Sequence, residues 1–144
     1  MTYLSTLRRH AVAALSLAAI LTVAPATMSR AGVPEARRQV PAKICNIDWH
    51  KGTWHIKQLI RCAASYWHVP GGAEAALAVA DRESHFRPHA YNPSGCAGIY
   101  QHMLRYWPGR ASDYGFPGWS AYNARANIIV TMRMVKRAGW GPWS

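Results

Sequence analysis

The chain is poor in acidic residues. Of its 144 residues only six are Asp or Glu, against 17 Lys and Arg, and the formal net charge is +11. It also lacks internal repeats and any apolar run of the roughly 20 residues that a membrane-spanning helix needs. Three cysteines permit at most one disulfide. These absences disfavour a membrane-embedded protein and leave one small domain as the predicted organisation.

The N-terminus has the pattern of a secretory signal peptide. Arg8 and Arg9 precede an apolar run over residues 11–23, and a small-x-small cleavage site follows at 24–26. We predict a signal peptide over residues 1–26, with cleavage after Ala31 as the alternative. The mature protein is then secreted or extracellular, associated with the cell wall, and keeps no stable membrane anchor.

We expect residues 27–53 to form a basic leader or linker and residues 54–144 to form the domain. All three cysteines follow the signal, which suits an oxidising compartment. Cys62 is the expected disulfide participant, and the sequence leaves open whether Cys45 or Cys96 is its partner.

One carboxylate stands at a predicted helix end. Residues 73–83 are rich in helix formers, and Pro88 prevents a regular helix from continuing much further. Glu83 therefore lies in a last turn, where the negative end of the helix dipole disfavours the ionised carboxylate, although Arg82 and Arg87 act in the opposite direction. This setting suits a general acid.

The segment after Glu83 matches a known pattern at seven positions. The pattern is Glu-Ser, a proline five residues after the glutamate, and then Gly-x-x-Gly-(Leu or Ile)-x-Gln. The matching residues are Glu83, Ser84, Pro88, Gly95, Gly98, Ile99 and Gln101. With them the chain resembles the soluble lytic transglycosylase family, relatives of goose-type lysozyme, over about residues 54–144. The chain departs from the pattern at Asn92, Tyr100 and Met134, where members often carry Ser, Met and Tyr.

The resemblance implies a mainly α fold, a small lysozyme-like helical domain. It also implies a reaction in which Glu83 protonates the glycosidic oxygen between N-acetylmuramic acid and N-acetylglucosamine and then deprotonates the O6 hydroxyl, giving a 1,6-anhydro ring. Hydrolysis by the same acid with an activated water, and a non-catalytic module that binds wall glycan, are the alternatives.

The acid count bears on the mechanism independently. Ordinary glycosidases use two carboxylates about 5 to 9.5 Å apart. Two of the other acids precede the domain, and two lie about 160° to 180° around the helix from Glu83. Only Asp113, in the predicted loop 109–118, has a position from which to approach it. A mechanism with one carboxylate is favoured.

Six further residues are candidate substrate contacts. Gln101 comes first because it belongs to the motif, and the others offer hydrogen bonds or aromatic faces to sugars. The others are Asn92, Tyr100, Asn127, Tyr91 and Tyr122. Gly95 and Gly98 are expected to permit turns and a close approach to the glycan.

The expected partners are peptidoglycan glycan strands and the anionic cell envelope, because 15 basic residues face 6 acidic ones from Ala26 onward, a charge of +9. The charges are scattered without a recognised motif, which disfavours nucleic acid. No cofactor or metal is expected. Pro88 prevents His85 and His89 from forming a rigid ligand pair, and a nucleophilic Cys96 beside His102 lacks an orienting group.

Two amphipathic patterns predict the scaffold. The first face comprises Ile56, Leu59, Ile60, Ala63 and Trp67. A last helix over residues 124–138 places Ile128, Met132 and Val135 on one apolar stripe, with Gly139 as the C-cap. We expect the aromatic C-terminus, Trp140 and Trp143, to pack on the core rather than line the cleft.

Overall fold

The computed structural model describes residues 37–144, so the predicted signal peptide and the first part of the predicted leader lie outside the described residues. The fold is mainly helical, as predicted. Its helices are α1 (Thr53–Tyr66), α2 (Gly72–Ser84), α3 (Trp107–Asp113) and α4 (Ala124–Ala138), with 3₁₀ turns at Trp49–Lys51 and Gly141–Trp143. Within this part of the chain no helix is long and apolar enough to cross a bilayer.

The core forms where α1 packs against α2 and α4. The apolar face of α1 is buried, from Ile56 to Ala63, and α4 buries Ile128, Met132 and Val135. The bounds of α4 are those predicted, because both ends carry local signals. The Asn123 side chain accepts a hydrogen bond from the Ala126 amide, and the Gly139 amide donates to the carbonyl of Val135.

Helix α2 ends at Ser84, before Pro88, the residue from which its end was predicted. The backbone turns left-handed at His85 and Phe86, with φ of 51° and 61°, and the His85 amide closes the last turn on Asp81. Glu83 therefore lies in the last turn of α2, as predicted. His85 and Phe86 form the exit turn of α2. Pro88 follows this turn and does not cause the helix to end.

A small antiparallel sheet follows α2, in the segment where turns were expected at Gly95 and Gly98. Its strands are β1 (Tyr91–Asn92), β2 (Cys96–Ala97) and β3 (His102–Met103), in that spatial order. Tyr91 pairs with Ala97, and Ala97 pairs with His102. The sheet folds residues 91–103 into one compact unit beside the end of α2.

The predicted leader boundary at residue 54 is wrong. Val40 is buried and its amide donates to Gly115 at 3.3 Å. The Arg125 guanidinium donates to the carbonyl of Pro41 at 2.9 Å, and a disulfide joins Cys45 to Cys62 on α1. The folded unit therefore begins before residue 54, because a covalent bond and hydrogen bonds from distant residues fix this segment. The pairing also leaves Cys96 as the free thiol of the described residues.

Candidate active site

Glu83 is partly buried at the C-terminal end of α2, with 26% of its side chain exposed. Within residues 37–144 its one polar side-chain contact is with the Arg82 guanidinium, at 3.4 Å. The carboxyl group is thus accessible and retains the capacity to hydrogen-bond a ligand.

Three side chains from different elements hold the loop between β2 and β3. Ser84 Oγ, the neighbour of Glu83, donates to the carbonyl of Ile99 at 2.8 Å. Asn127 Oδ1 on α4 accepts from the Tyr100 amide at 2.9 Å, and Trp143 Nε1 donates to the Tyr100 carbonyl at 2.9 Å. The position of this loop relative to Glu83 is therefore fixed by buried hydrogen bonds.

The C-terminal turn contacts both sides of this arrangement. Besides its bond to Tyr100, Trp143 accepts a hydrogen bond from Arg82 at its backbone carbonyl. Its ring is buried and packs edge-on against Tyr100 and His102. The prediction that this tryptophan packs on the core is confirmed. The C-terminal 3₁₀ turn thereby holds Arg82, the arginine beside Glu83.

Gly98 is required by close packing under the loop. Its φ is +79°, and a Cβ here would lie 2.3 Å from the carbonyl oxygen of Ala121 and 2.3 Å from Nδ2 of Asn127. No side chain fits this space. The glycine thus allows the loop to lie directly on the α4 asparagine, a role inside the fold rather than toward a ligand.

Gln101 is partly buried and uses only one end of its amide. Its Nε2 donates to the carbonyls of Gly98 at 2.8 Å and Ala90 at 3.3 Å. Its Oε1 has no hydrogen-bond partner among residues 37–144. The side chain is held in place while its acceptor oxygen remains available to a ligand.

His102 belongs to the buried scaffold. Its Nδ1 lies 3.0 Å from the Arg110 guanidinium, which can only donate, so the other nitrogen, Nε2, carries the hydrogen and donates to Thr131 Oγ1 at 2.7 Å. Thr131 in turn donates to the carbonyl of Asn127. Burial, reinforced by the charge of Arg110, lowers the pKa of His102 to about 3. The ring is a neutral structural bridge, and both its nitrogens are occupied.

Two predicted substrate contacts are wrong. Tyr100 and Asn127 are fully buried. The Tyr100 hydroxyl donates to the carbonyl of Ala76 at 2.9 Å, and burial raises its pKa, so it remains a protonated donor. The Asn127 amide donates to Ala121 at 2.9 Å and accepts from the Tyr100 backbone. Both residues position the loop from below and do not face a ligand.

The remaining predicted contacts lie on the surface of the same unit. Tyr91 is 58% exposed. Asn92 is exposed and its Oδ1 accepts from the Ser94 amide at 2.7 Å, so its side chain also shapes the β1–β2 turn. Tyr122 is partly buried, with its ring 6.2 Å from that of His89 at an interplanar angle of 26°.

Two further candidate contacts, Arg87 and Trp49, are visible only in the structure. Arg87 lines a groove with the four residues that follow it, and the Trp49 ring lies 6.4 Å from the His89 ring in that groove. In the sequence, Arg87 indicates only a positive charge near Glu83. Trp49 lies in the segment assigned to the linker, and no local pattern indicates a contact with a residue 40 positions away.

The other acids do not gather around Glu83. Asp113 ends α3, in a segment expected to be a loop, and pairs with Arg37 at 3.4 Å. Asp81 pairs with His85 at 3.0 Å. In the part of the chain that the structure describes, no three His, Cys, Asp or Glu side chains are grouped so that they could hold a metal ion. Comparisons of the chain with protein-family models, with curated proteins and with solved structures find no match.

Proposed function

We propose that this protein is a secreted lytic transglycosylase with a lysozyme-like domain. Its substrate is the β-1,4 bond between N-acetylmuramic acid and N-acetylglucosamine in peptidoglycan. The observation that carries the proposal is the bond from Ser84 to Ile99, which joins the helix end bearing Glu83 to the loop bearing Gln101. The residues that carry the family resemblance thus lie on two segments in direct contact.

The reaction needs one carboxyl group acting twice. Glu83 in its protonated form donates a proton to the glycosidic oxygen, and the bond from that oxygen to C1 of the muramoyl residue breaks. The muramoyl O6 hydroxyl then bonds to C1 and its proton returns to the Glu83 carboxylate. The products are a free 4-hydroxyl on N-acetylglucosamine and a 1,6-anhydromuramoyl end, and no water is consumed.

The partners and positions of the other described acids favour this mechanism over one with two carboxylates. Asp113 and Asp81 each have a cationic or histidine partner of their own. Asp48 hydrogen-bonds His50, and Glu74 is exposed at the opposite end of α2. Glu83 is therefore the acid that the geometry supports for proton transfer.

Export and an anionic partner complete the proposal. The disulfide between Cys45 and Cys62 suits an oxidising compartment outside the cytoplasm. The excess of Lys and Arg over Asp and Glu suits the anionic cell envelope, where attraction acts over about 10 Å at 0.1 M salt.

The test compares the mature protein with Glu83→Gln on purified peptidoglycan, by mass spectrometry of the released fragments. Glu74→Gln is the matched control, since it removes an exposed carboxylate from the same helix. We expect anhydromuramoyl ends from the wild type and from Glu74→Gln, and none from Glu83→Gln. Reducing ends would instead identify a muramidase. Absence of fragments from folded protein, with binding retained, would identify a glycan-binding module.

A further inference from the structure

An open groove lies directly after the exit turn of α2. It has a volume of about 530 Å³ and is lined by five consecutive residues, from Arg87 to Tyr91. We call it the Arg87 groove. Its lining includes Ala90, whose backbone carbonyl accepts a hydrogen bond from the Gln101 side chain. The groove is thus continuous with the segment that carries the candidate active site.

Arg87 is anchored to the C-terminal end of α2, and its terminal nitrogens are unoccupied among residues 37–144. Its Nε donates to the carbonyl of Ser84 at 2.9 Å, which fixes the plane of the guanidinium. Among residues 37–144 no acidic side chain pairs with it, and neither terminal nitrogen has a hydrogen-bond partner. A planar guanidinium that is held through its Nε leaves both terminal nitrogens available for bidentate binding of a carboxylate.

Two rings line the same groove, those of His89 and Tyr91. Tyr91 is one of its exposed walls, and the His89 ring lies nearly parallel to the Tyr122 ring. The His89 ring is also 6.4 Å from the ring of Trp49, in the segment that follows the disulfide-bonded Cys45. Flat rings beside a cation provide an apolar surface for a sugar and a charge for its substituent.

We infer that the Arg87 groove is a subsite for a free carboxylate attached to the glycan strand, namely one on the peptide stem of the muramoyl residue. The substrate class rests on the proposed function. Arg87 Nε donates to the carbonyl of Ser84, the residue after Glu83, so the proposed subsite adjoins the end of α2 that carries the candidate acid. A single unpaired guanidinium matches a single carboxylate, and an unattached phosphate polymer is the competing anion source that the test examines.

The test measures binding without cleavage. In the Glu83→Gln background, calorimetry at constant ionic strength compares three soluble glycan fragments: one with free stem carboxylates, one with those carboxylates amidated, and one stripped of stems. We expect binding of the first to be about tenfold tighter than binding of the other two. Adding Arg87→Gln should remove this difference while leaving the affinity for the stripped fragment unchanged.

Two matched variants separate specific recognition from general charge. Arg105→Gln removes another exposed cation, which lies over the Tyr106 ring, and should preserve the preference. Arg87→Lys keeps the charge but cannot bind bidentately, and it should retain only part of the preference. If Arg87→Gln fails to fold, as judged by circular dichroism, Arg87→Lys alone decides.

Three results would overturn the inference. They are equal affinity for the free and amidated fragments, equal losses from Arg87→Gln and Arg105→Gln, and displacement of the fragment by inorganic phosphate at concentrations where acetate has no effect. This test measures binding and not turnover, so its result can refute the subsite without refuting the proposed reaction. Cleavage without carboxylate preference refutes only the subsite, and preference without anhydromuramoyl products refutes only the transglycosylase.

Discussion

The segment over residues 91–103 presents two unlike sides. On the inner side Tyr100 and His102 are buried, and their polar side-chain atoms are hydrogen-bonded within the protein. On the outer side Tyr91 and Asn92 are exposed. Residue types that suit sugar binding occur on both sides, so chemistry alone does not distinguish scaffold from contact. The difference between them is burial, which depends on what packs beneath the segment.

The two sides should respond differently to substitution. Changes on the inner side should reduce the free energy of unfolding, because they leave buried groups unpaired or overpacked. Changes on the outer side should leave stability nearly unchanged and alter the release of glycan fragments.

The largest effect is expected at Gly98. Gly98→Ala should lower the free energy of unfolding by about 3 kcal/mol, from overpacking against Ala121 and Asn127 together with the left-handed backbone. Gly95→Ala is the control, because its φ is +90° but a Cβ there meets nothing within 4 Å. It should cost only about 1 kcal/mol. Urea denaturation measures both, and equal losses would contradict the packing described under the loop.

The next effect is the pH dependence set by His102. Its pKa is about 3 in the folded protein and about 6.5 in the unfolded chain. As the pH falls below 6.5 the unfolded chain binds the proton first, so the folded state loses about 1.4 kcal/mol per pH unit until the pH nears 3. Above about pH 7.5 this contribution no longer changes with pH.

His102→Gln removes this titration. Between pH 6.5 and pH 4.5 the wild type should lose about 2.3 kcal/mol more than the variant, as measured from urea midpoints at the two pH values. The variant keeps all the carboxylates, so their titration cancels in the comparison. Identical losses in the two proteins would show that His102 is not held neutral by burial beside Arg110.

The sequence predicted the parts of the fold that carry local signals. Helix α4 was placed correctly because Asn123 and Gly139 cap its ends, and Glu83 was placed in a last turn. The sheet was missed because strands of two residues show no alternation. The burial of Tyr100 was missed because it depends on Ala76, 24 residues earlier in the chain.

The candidate site was predicted to the same extent and for the same reason. Glu83 and Gln101 belong to a spaced motif, so the sequence alone makes them candidates. Arg87 and Trp49 join the site through contacts with the exit turn of α2 and with His89, which no local pattern indicates. Long-range packing therefore explains why Tyr100 and Asn127 are withdrawn and why Trp49 is added, whereas Arg87 is added through the local turn that follows α2.

The smallest effect on stability, and the sharpest contrast, comes from the two tyrosines. Tyr100→Phe deletes only the hydroxyl that donates to Ala76, so it should cost about 1 kcal/mol of unfolding free energy and leave fragment release unchanged below the unfolding transition.

Tyr91→Ala removes an exposed ring and should change stability by less than about 0.5 kcal/mol. Its rate of fragment release should nevertheless fall, because the ring is a wall of the Arg87 groove. Denaturation and fragment release, measured on both variants, give opposite patterns if the inner and outer sides are distinct. A Tyr91 variant that releases fragments at the wild-type rate would remove Tyr91 from the candidate contacts.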